Sequence, residues 1–113
     1  GALLTACVRM GAIAARASTP ALRSLTRYGR ELGLAFQIVD DILDVSGTAR
    51  DLGKTPGKDA RQGKKTYPAM YGMEASRRRA DASVRAALRA IGFLGKRGER
   101  LRELAHWVLS RTH

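Results

Sequence analysis

Three aspartates at helical spacing are the residues of this chain whose types and positions best suit a chemical role. They occur in the run FQIVDDILD, residues 36–44. At about 100° per residue on a helix, Gln37, Asp40, Asp41 and Asp44 share an arc roughly 100° wide. The rest of the circumference is apolar, and a helix that is apolar on most sides is normally buried. We therefore expect this acidic stripe, Gln37 with the three aspartates, to face an internal cavity.

Carboxylates so close together favour a bound cation. They raise one another's pKa, and each loses favourable hydration when it is buried. Magnesium suits such donors because it takes oxygen ligands and usually binds one or two carboxylates, while waters and substrate phosphates complete its shell. A solvated acidic face would mix basic residues among the acids, but residues 38–43 contain none. The stripe therefore predicts a magnesium site.

A segment rich in glycine and lysine, residues 53–65, follows the aspartates. Glycines at 53, 57 and 63 and a proline at 56 interrupt regular structure, so we expect a loop that orders around its ligand. Its basic side chains are Lys54, Lys58, Arg61, Lys64 and Lys65. Cationic groups on a loop of this kind attract phosphates. Together, the stripe and the loop predict a site for magnesium and a diphosphate.

Four helices are expected to position these residues. The spacing of apolar residues and the stop signals place them at about 1–17, 21–45, 74–91 and 99–111. Thr19 followed by Pro20 is expected to cap the second helix. The third helix is expected to bury a stripe of Ala75, Ala82, Leu88 and Ile91. Met70 and Trp107 lie among apolar residues at helical spacing and are expected in the core. No strand is expected, so the predicted class is all-α.

Charge and composition exclude several classes of function. The formal net charge is +11, which also suits nucleic-acid binders, but no aromatic residues alternate with the bases as single-strand stacking requires. No segment approaches the roughly 20 apolar residues of a membrane span, and no signal peptide is visible. We therefore expect no nucleic-acid partner, no stable membrane insertion and a cytoplasmic location. Cys7, the single cysteine, is expected to be buried on its helix.

Several motifs, taken in order, resemble the trans-prenyl diphosphate synthases, the family that includes the farnesyl and geranylgeranyl diphosphate synthases. Residues 1–4 resemble a helix start of that family, residues 36–44 its second aspartate-rich (DDxxD) motif and residues 53–59 the loop that follows. Residues 63–68 and the ending 111–113 also resemble it. The resemblance covers nearly the whole chain. It implies the C-terminal helices of an isoprenoid-synthase-type helical bundle.

The resemblance implies a reaction and a role for each residue. The family joins isopentenyl diphosphate to an allylic diphosphate head-to-tail and in trans, with Mg²⁺ as cofactor. Carried over, Asp40 and Asp44 would bind the metal directly, and Asp41 would assist through water. Lys54 would bind the allylic diphosphate. Lys64 would flank the same anion, and Gln37 would orient substrate or metal-bound water.

The chain also departs from the family, because it contains only one acidic cluster. Family members carry a first aspartate-rich motif upstream on another helix. We therefore expect residues 1–113 to be the C-terminal portion of a single synthase domain, inactive alone and a homodimer when complete. Two alternatives remain open. One is a non-catalytic partner subunit of a heteromeric synthase, and the other is a basic anion-binding module without chemistry.

Overall fold

The structure is a computed structural model, and it describes residues 2–46 and 65–112. The described residues form five α-helices and one 3₁₀ segment: α1 (Ala2–Ala14), α2 (Thr19–Ser46), α3 (Tyr67–Tyr71), α4 (Met73–Ala90), the 3₁₀ segment Gly92–Gly98 and α5 (Glu99–Ser110). No strand occurs in these two ranges, so the all-α prediction is confirmed. None of the described helices is long and apolar enough to cross a membrane.

Helix α2 is the central element, because α1, α3, α4 and α5 all contact it. Its predicted apolar side is confirmed: Ile38, Val39 and Ile42 are all buried. They join one hydrophobic core, which consists of Tyr28, Leu32, Ala35, Ile38, Val39, Ile42, Ala80, Val84, Ala87, Ile91, Ala105 and Val108. The core thus holds α2 rigidly, and α2 carries the acidic stripe at its C-terminal end.

The start of α2 lies one residue earlier than the capping pattern predicted. Ser18, rather than Thr19, is the capping residue, because its Oγ accepts a hydrogen bond from the Ala21 backbone N–H at 3.2 Å. The Ser18 carbonyl also accepts the first helical bond, from Leu22 N–H at 2.8 Å. Serine and threonine side chains both accept hydrogen bonds from the free backbone N–H groups of a first turn. The sequence alone therefore did not show which of Ser18 and Thr19 caps the helix.

Of the four positions predicted to be buried on the third helix, only Ile91, the residue that follows α4, is fully buried. Ala75, Ala82 and Leu88 are only half-buried, whereas the fully buried positions are Ser76, Ala80, Ser83, Val84, Ala86 and Ala87. Serine was not expected in the core. The Ser76 hydroxyl donates to the Gly72 carbonyl at 2.7 Å, and this local bond allows the polar group to be buried.

Three residues predicted to be buried are exposed. Met70 is 50% exposed and Trp107 is 53% exposed, and Cys7 is exposed as well. Helical spacing identifies which residues share a face but not whether another element covers that face. The short helix α3, which carries Met70, was not predicted. Its five residues are too few for a periodic pattern, and Thr66 Oγ1 caps it by accepting from Ala69 N–H at 3.2 Å.

Helices α1 and α2 approach each other closely at Gly29. A Cβ at this position would lie 2.9 Å from the Cα of Thr5. That distance is below any ordinary carbon contact, and the neighbouring atom is backbone, which cannot rotate away. Only glycine therefore allows α1 to lie this close to α2.

Gly29→Ala is expected to lower the free energy of unfolding by about 1–3 kcal/mol, because the added methyl group overpacks the interface between α1 and α2. Gly11→Ala is the matched control. It lies in α1, where a Cβ would meet nothing within 4 Å, so it should raise stability by up to about 1 kcal/mol. Chemical denaturation of both variants measures the two values. Equal effects of the same sign would contradict the close contact.

Tyr28 fastens α5 to α2. Its side chain is fully buried, and its hydroxyl donates to the Leu101 carbonyl at 2.8 Å. Burial raises the pKa of the Tyr28 phenol to about 12, so the hydroxyl remains a donor across the physiological range. This bond and the packing of Ala105 and Val108 fix the direction of α5. The chain end that follows α5 is thereby brought to the acidic stripe.

Candidate functional site

The three aspartates lie in the last two turns of α2, in three different environments. Asp41 is 7% exposed, Asp44 is half-buried, and the side chain of Asp40 is half exposed. Gln37, one turn earlier, is exposed. The stripe therefore runs along the boundary between the core and the surface of the described residues.

Asp41 is held by two hydrogen bonds. Its Oδ2 accepts from the Tyr67 backbone N–H at 2.9 Å, and its Oδ1 accepts from Gln37 Nε2 at 3.2 Å. The first bond joins the end of α2 to the first residue of α3. Both carboxylate oxygens of Asp41 therefore already have protein donors. The bond to Tyr67 N–H fixes the start of α3 beside the end of α2. This geometry favours a role close to the metal over direct coordination.

Asp40 forms an ion pair with Arg111. Arg111 Nη2 lies 3.1 Å from Asp40 Oδ1. The other oxygen, Oδ2, has no hydrogen bond from any residue that the structure describes. Asp40 thus keeps one carboxylate oxygen available for a further ligand while the other is fixed by the protein.

Arg111 is itself held between two aromatic rings. Its guanidinium carbon lies 5.0 Å from the Phe36 ring centroid and 5.1 Å from that of Trp107. Both distances are within the range of cation–π attraction. The side chain of Arg111 is 25% exposed, and its Nη1 is buried with no hydrogen-bond partner in the described part of the chain. Trp107 therefore packs against a cation at the site rather than in the core.

Sequence reasoning missed Arg111. In the sequence it stands out only as part of the ending 111–113 that resembles the family. The one available signal was its position four residues after Trp107, a spacing that places two side chains on the same helical face. The pairing with Asp40 depends on the packing of α5 on α2, which no local pattern gives.

The structure leaves part of the predicted site untested. Lys54 and Lys64 lie outside the described residues, as does most of the predicted loop at 53–65; only Lys65 is described, and it is exposed. Gln37 lies on a groove of about 670 Å³ between α1 and α2, and it shares this groove with Gly33 and Leu34. A role for Gln37 in orienting substrate remains a prediction.

The donors of the stripe fit a cation that needs few protein ligands. Among the residues described, no three His, Cys, Asp or Glu side chains gather closely enough to hold a metal ion by themselves. Magnesium does not require this, because it usually keeps waters and takes one or two carboxylates with substrate phosphates. Asp40, with one free oxygen, and Asp44, one turn further along α2, suit that arrangement. Asp41 suits it less well, because each of its oxygens already accepts one hydrogen bond.

The ion pair between Arg111 and Asp40 is expected to contribute to stability, since it is partly buried and backed by two rings. A double-mutant cycle with Arg111→Ala and Asp40→Ala should give a coupling energy in the free energy of unfolding of about 1 kcal/mol or more. The control is the exposed pair of Arg78 and Glu74, 3.3 Å apart, which should couple by about 0.5 kcal/mol or less. Equal coupling in both pairs would contradict the stacked geometry.

Comparison with known proteins identifies the family of this chain. The family model described as polyprenyl synthetase matches residues 1–101, and the chain belongs to this family. The predicted family is therefore confirmed.

Three relatives illustrate the similarity. A dimethylallyltranstransferase of Fischerella ambigua (strain UTEX 1903) is 44% identical over 113 residues, which are 100% of this chain and 33% of that protein. A geranylgeranyl diphosphate synthase of Cyanophora paradoxa is 38% identical over 100% of this chain and 38% of its own length. A farnesyl diphosphate synthase of Escherichia coli (strain K12) is 40% identical over 99% of this chain and 39% of its own length. The chain thus spans between 33% and 39% of these three relatives.

Proposed function

We propose that this chain is part of a trans-prenyltransferase that condenses isopentenyl diphosphate with an allylic diphosphate. The observation that carries the proposal is the state of Asp40, a charged group at the end of a rigid helix with one carboxylate oxygen held by Arg111 and the other available. Membership of the polyprenyl synthetase family and the names of the relatives support the reaction class.

The chain's own residues would divide the work at this site. Asp40 and Asp44 would hold Mg²⁺, and Lys54 and Lys64 would bind the allylic diphosphate beside it. Asp41 would keep the start of α3, and with it the far end of the basic segment, close to the metal ligands. Gln37 would keep Asp41 in place through its 3.2 Å bond, and its amide oxygen would orient substrate or metal-bound water. A metal bound with the diphosphate supplies Lewis-acid stabilisation of the leaving group.

The bonds that break and form in the proposed reaction follow from the two substrates. The allylic carbon–oxygen bond breaks and the diphosphate leaves with the electron pair. The isopentenyl double bond then attacks the allylic carbon, and a proton is lost, which the released diphosphate can accept. The protein would place cationic groups where the negative charge develops on the leaving diphosphate. Such electrostatic stabilisation is usually among the largest contributions to catalysis.

We also propose that residues 1–113 form the C-terminal portion of one synthase domain, that the complete enzyme is a homodimer and that it works in the cytoplasm. The outer face of α1 supports the first point. Leu3, Met10 and Ile13 are 78%, 68% and 58% exposed, an apolar surface that a helix of a larger bundle would cover. The modest share of each relative that the chain spans agrees with this.

The test is an assay with labelled isopentenyl diphosphate, an allylic primer and Mg²⁺. The 113-residue polypeptide alone is expected to form no product, since it contains a single acidic cluster. The longest gene product that contains this chain should form a longer prenyl diphosphate, and removal of Mg²⁺ by a chelator should abolish it. Turnover by the isolated polypeptide would contradict the proposed division of the domain. Activity only after addition of a separate synthase chain would favour the partner-subunit alternative.

A further inference from the structure

A second candidate site lies at the end of the molecule opposite the aspartates. An open cavity of about 890 Å³ lies between the end of α1, the start of α2, the end of α4 and the 3₁₀ segment. Ala21, which lines it, precedes Asp40 on the same helix by about 28 Å at 1.5 Å per residue. The cavity is therefore separate from the proposed active site.

Four arginines line this cavity, Arg16, Arg27, Arg89 and Arg97, and no acidic residue is among its described lining residues. No other described residue pairs with any of the four guanidinium groups. Four exposed arginines, from the turn after α1, from α2, from α4 and from the 3₁₀ segment, thus line one cavity that has no acidic residue among its described lining residues. Guanidinium groups bind phosphate oxygens through paired hydrogen bonds.

The floor of the cavity is apolar. Ala12 and Ala86 are buried there, Leu25 and Leu94 are half-buried, and Phe93 lies 53% exposed at its edge. An inorganic anion would use only the arginines and leave this surface in water. A ligand with a hydrocarbon chain would cover it, and the volume is within the range of pockets that hold small molecules.

We propose that this cavity binds an amphiphilic phosphate, a molecule with a phosphate or diphosphate head on a single hydrocarbon chain. The head would lie among the arginines and the chain would cover Leu25, Leu94 and Phe93. Such a ligand is either free in solution or the headgroup and chain of a membrane lipid. The proposal depends on the cavity alone and not on the reaction at the aspartates.

The test titrates decyl phosphate into the longest gene product that contains this chain, with a chelator present so that metal-dependent binding at the aspartates is suppressed. Arg27→Gln/Arg89→Gln should weaken binding tenfold or more, and Phe93→Ser should weaken decyl phosphate but not inorganic phosphate. The matched control is Arg77→Gln/Arg85→Gln. It removes the same charge from exposed positions of α4 that do not line the cavity, and it should change affinity less than twofold.

A competition measurement shows whether the ligand is a membrane lipid or a molecule free in solution. Vesicles that contain phosphatidic acid compete with decyl phosphate if the ligand is a lipid in a membrane, and they fail to compete if it is free in solution. Circular dichroism confirms that each variant is folded. Equal weakening by the cavity variant and the control variant would overturn the proposal, because general attraction of anions to a basic protein would then explain the binding. Unchanged affinity in Arg27→Gln/Arg89→Gln would overturn it as well.

Discussion

Asp40→Asn is expected to lower the turnover of prenyl transfer by about 10²–10³-fold, the usual loss when one well-placed electrostatic group is removed from an active site. Asparagine keeps the shape of the side chain and an oxygen that can accept from Arg111. It removes the negative charge that would hold a metal ion. The measurement is the turnover number of the complete synthase at saturating substrates and Mg²⁺.

The matched control for Asp40→Asn is Arg111→Gln. Both variants break the ion pair at 3.1 Å, but only the first removes the carboxylate that we propose as a metal ligand. If Asp40 acts through the metal, Arg111→Gln should lose far less turnover than Asp40→Asn. Similar losses would mean that the ion pair, and not the free carboxylate oxygen, is what the reaction needs.

Lys54→Ala is expected to raise the KM for the allylic diphosphate by tenfold or more and to change the KM for isopentenyl diphosphate much less. The reason is that a lysine opposite a diphosphate contributes a charged hydrogen bond, which is among the stronger polar interactions of a binding site. Steady-state kinetics with each substrate varied in turn measures the two values.

Lys58→Ala is the control for Lys54→Ala, because it removes the same charge from the same basic segment at a position that the family pattern does not fix. It should affect both substrates weakly. Equal losses for the two substrates in Lys54→Ala would contradict the assignment of Lys54 to the allylic diphosphate. Equal changes in both KM values for Lys54→Ala and Lys58→Ala would mean that Lys54 acts only by general electrostatic attraction.

The sequence predicted the elements that depend on local patterns. The continuous apolar side of α2 around Ile38 and Ile42 specified a buried helix. The location of a site at its stripe of aspartates stays a prediction. Four of the five helices were expected near their observed positions. The family was also predictable, because its motifs are local and occur in a fixed order.

What depends on tertiary contacts was not predictable. Whether Trp107 is buried depends on what covers α5, and in the described structure its ring packs on Arg111. The different environments of Asp40 and Asp41, neighbours in sequence, arise because α5 brings Arg111 to one and α3 brings Tyr67 N–H to the other. Both contacts join residues far apart in the chain. The spacing of three aspartates alone could therefore not say which carboxylate stays available.

The most direct test of the account is to locate the metal. Crystals of the complete synthase, grown with Mn²⁺ in place of Mg²⁺ and with an unreactive allylic diphosphate analogue, allow the ion to be found by its anomalous scattering. We predict an ion about 2.0–2.2 Å from Asp40 Oδ2, with Asp44, the diphosphate and waters as its other ligands and with Asp41 still bonded to Tyr67 N–H. A diphosphate complex whose metal ions all lie away from Asp40 and Asp44, with Arg111 still the only partner of Asp40, would contradict it.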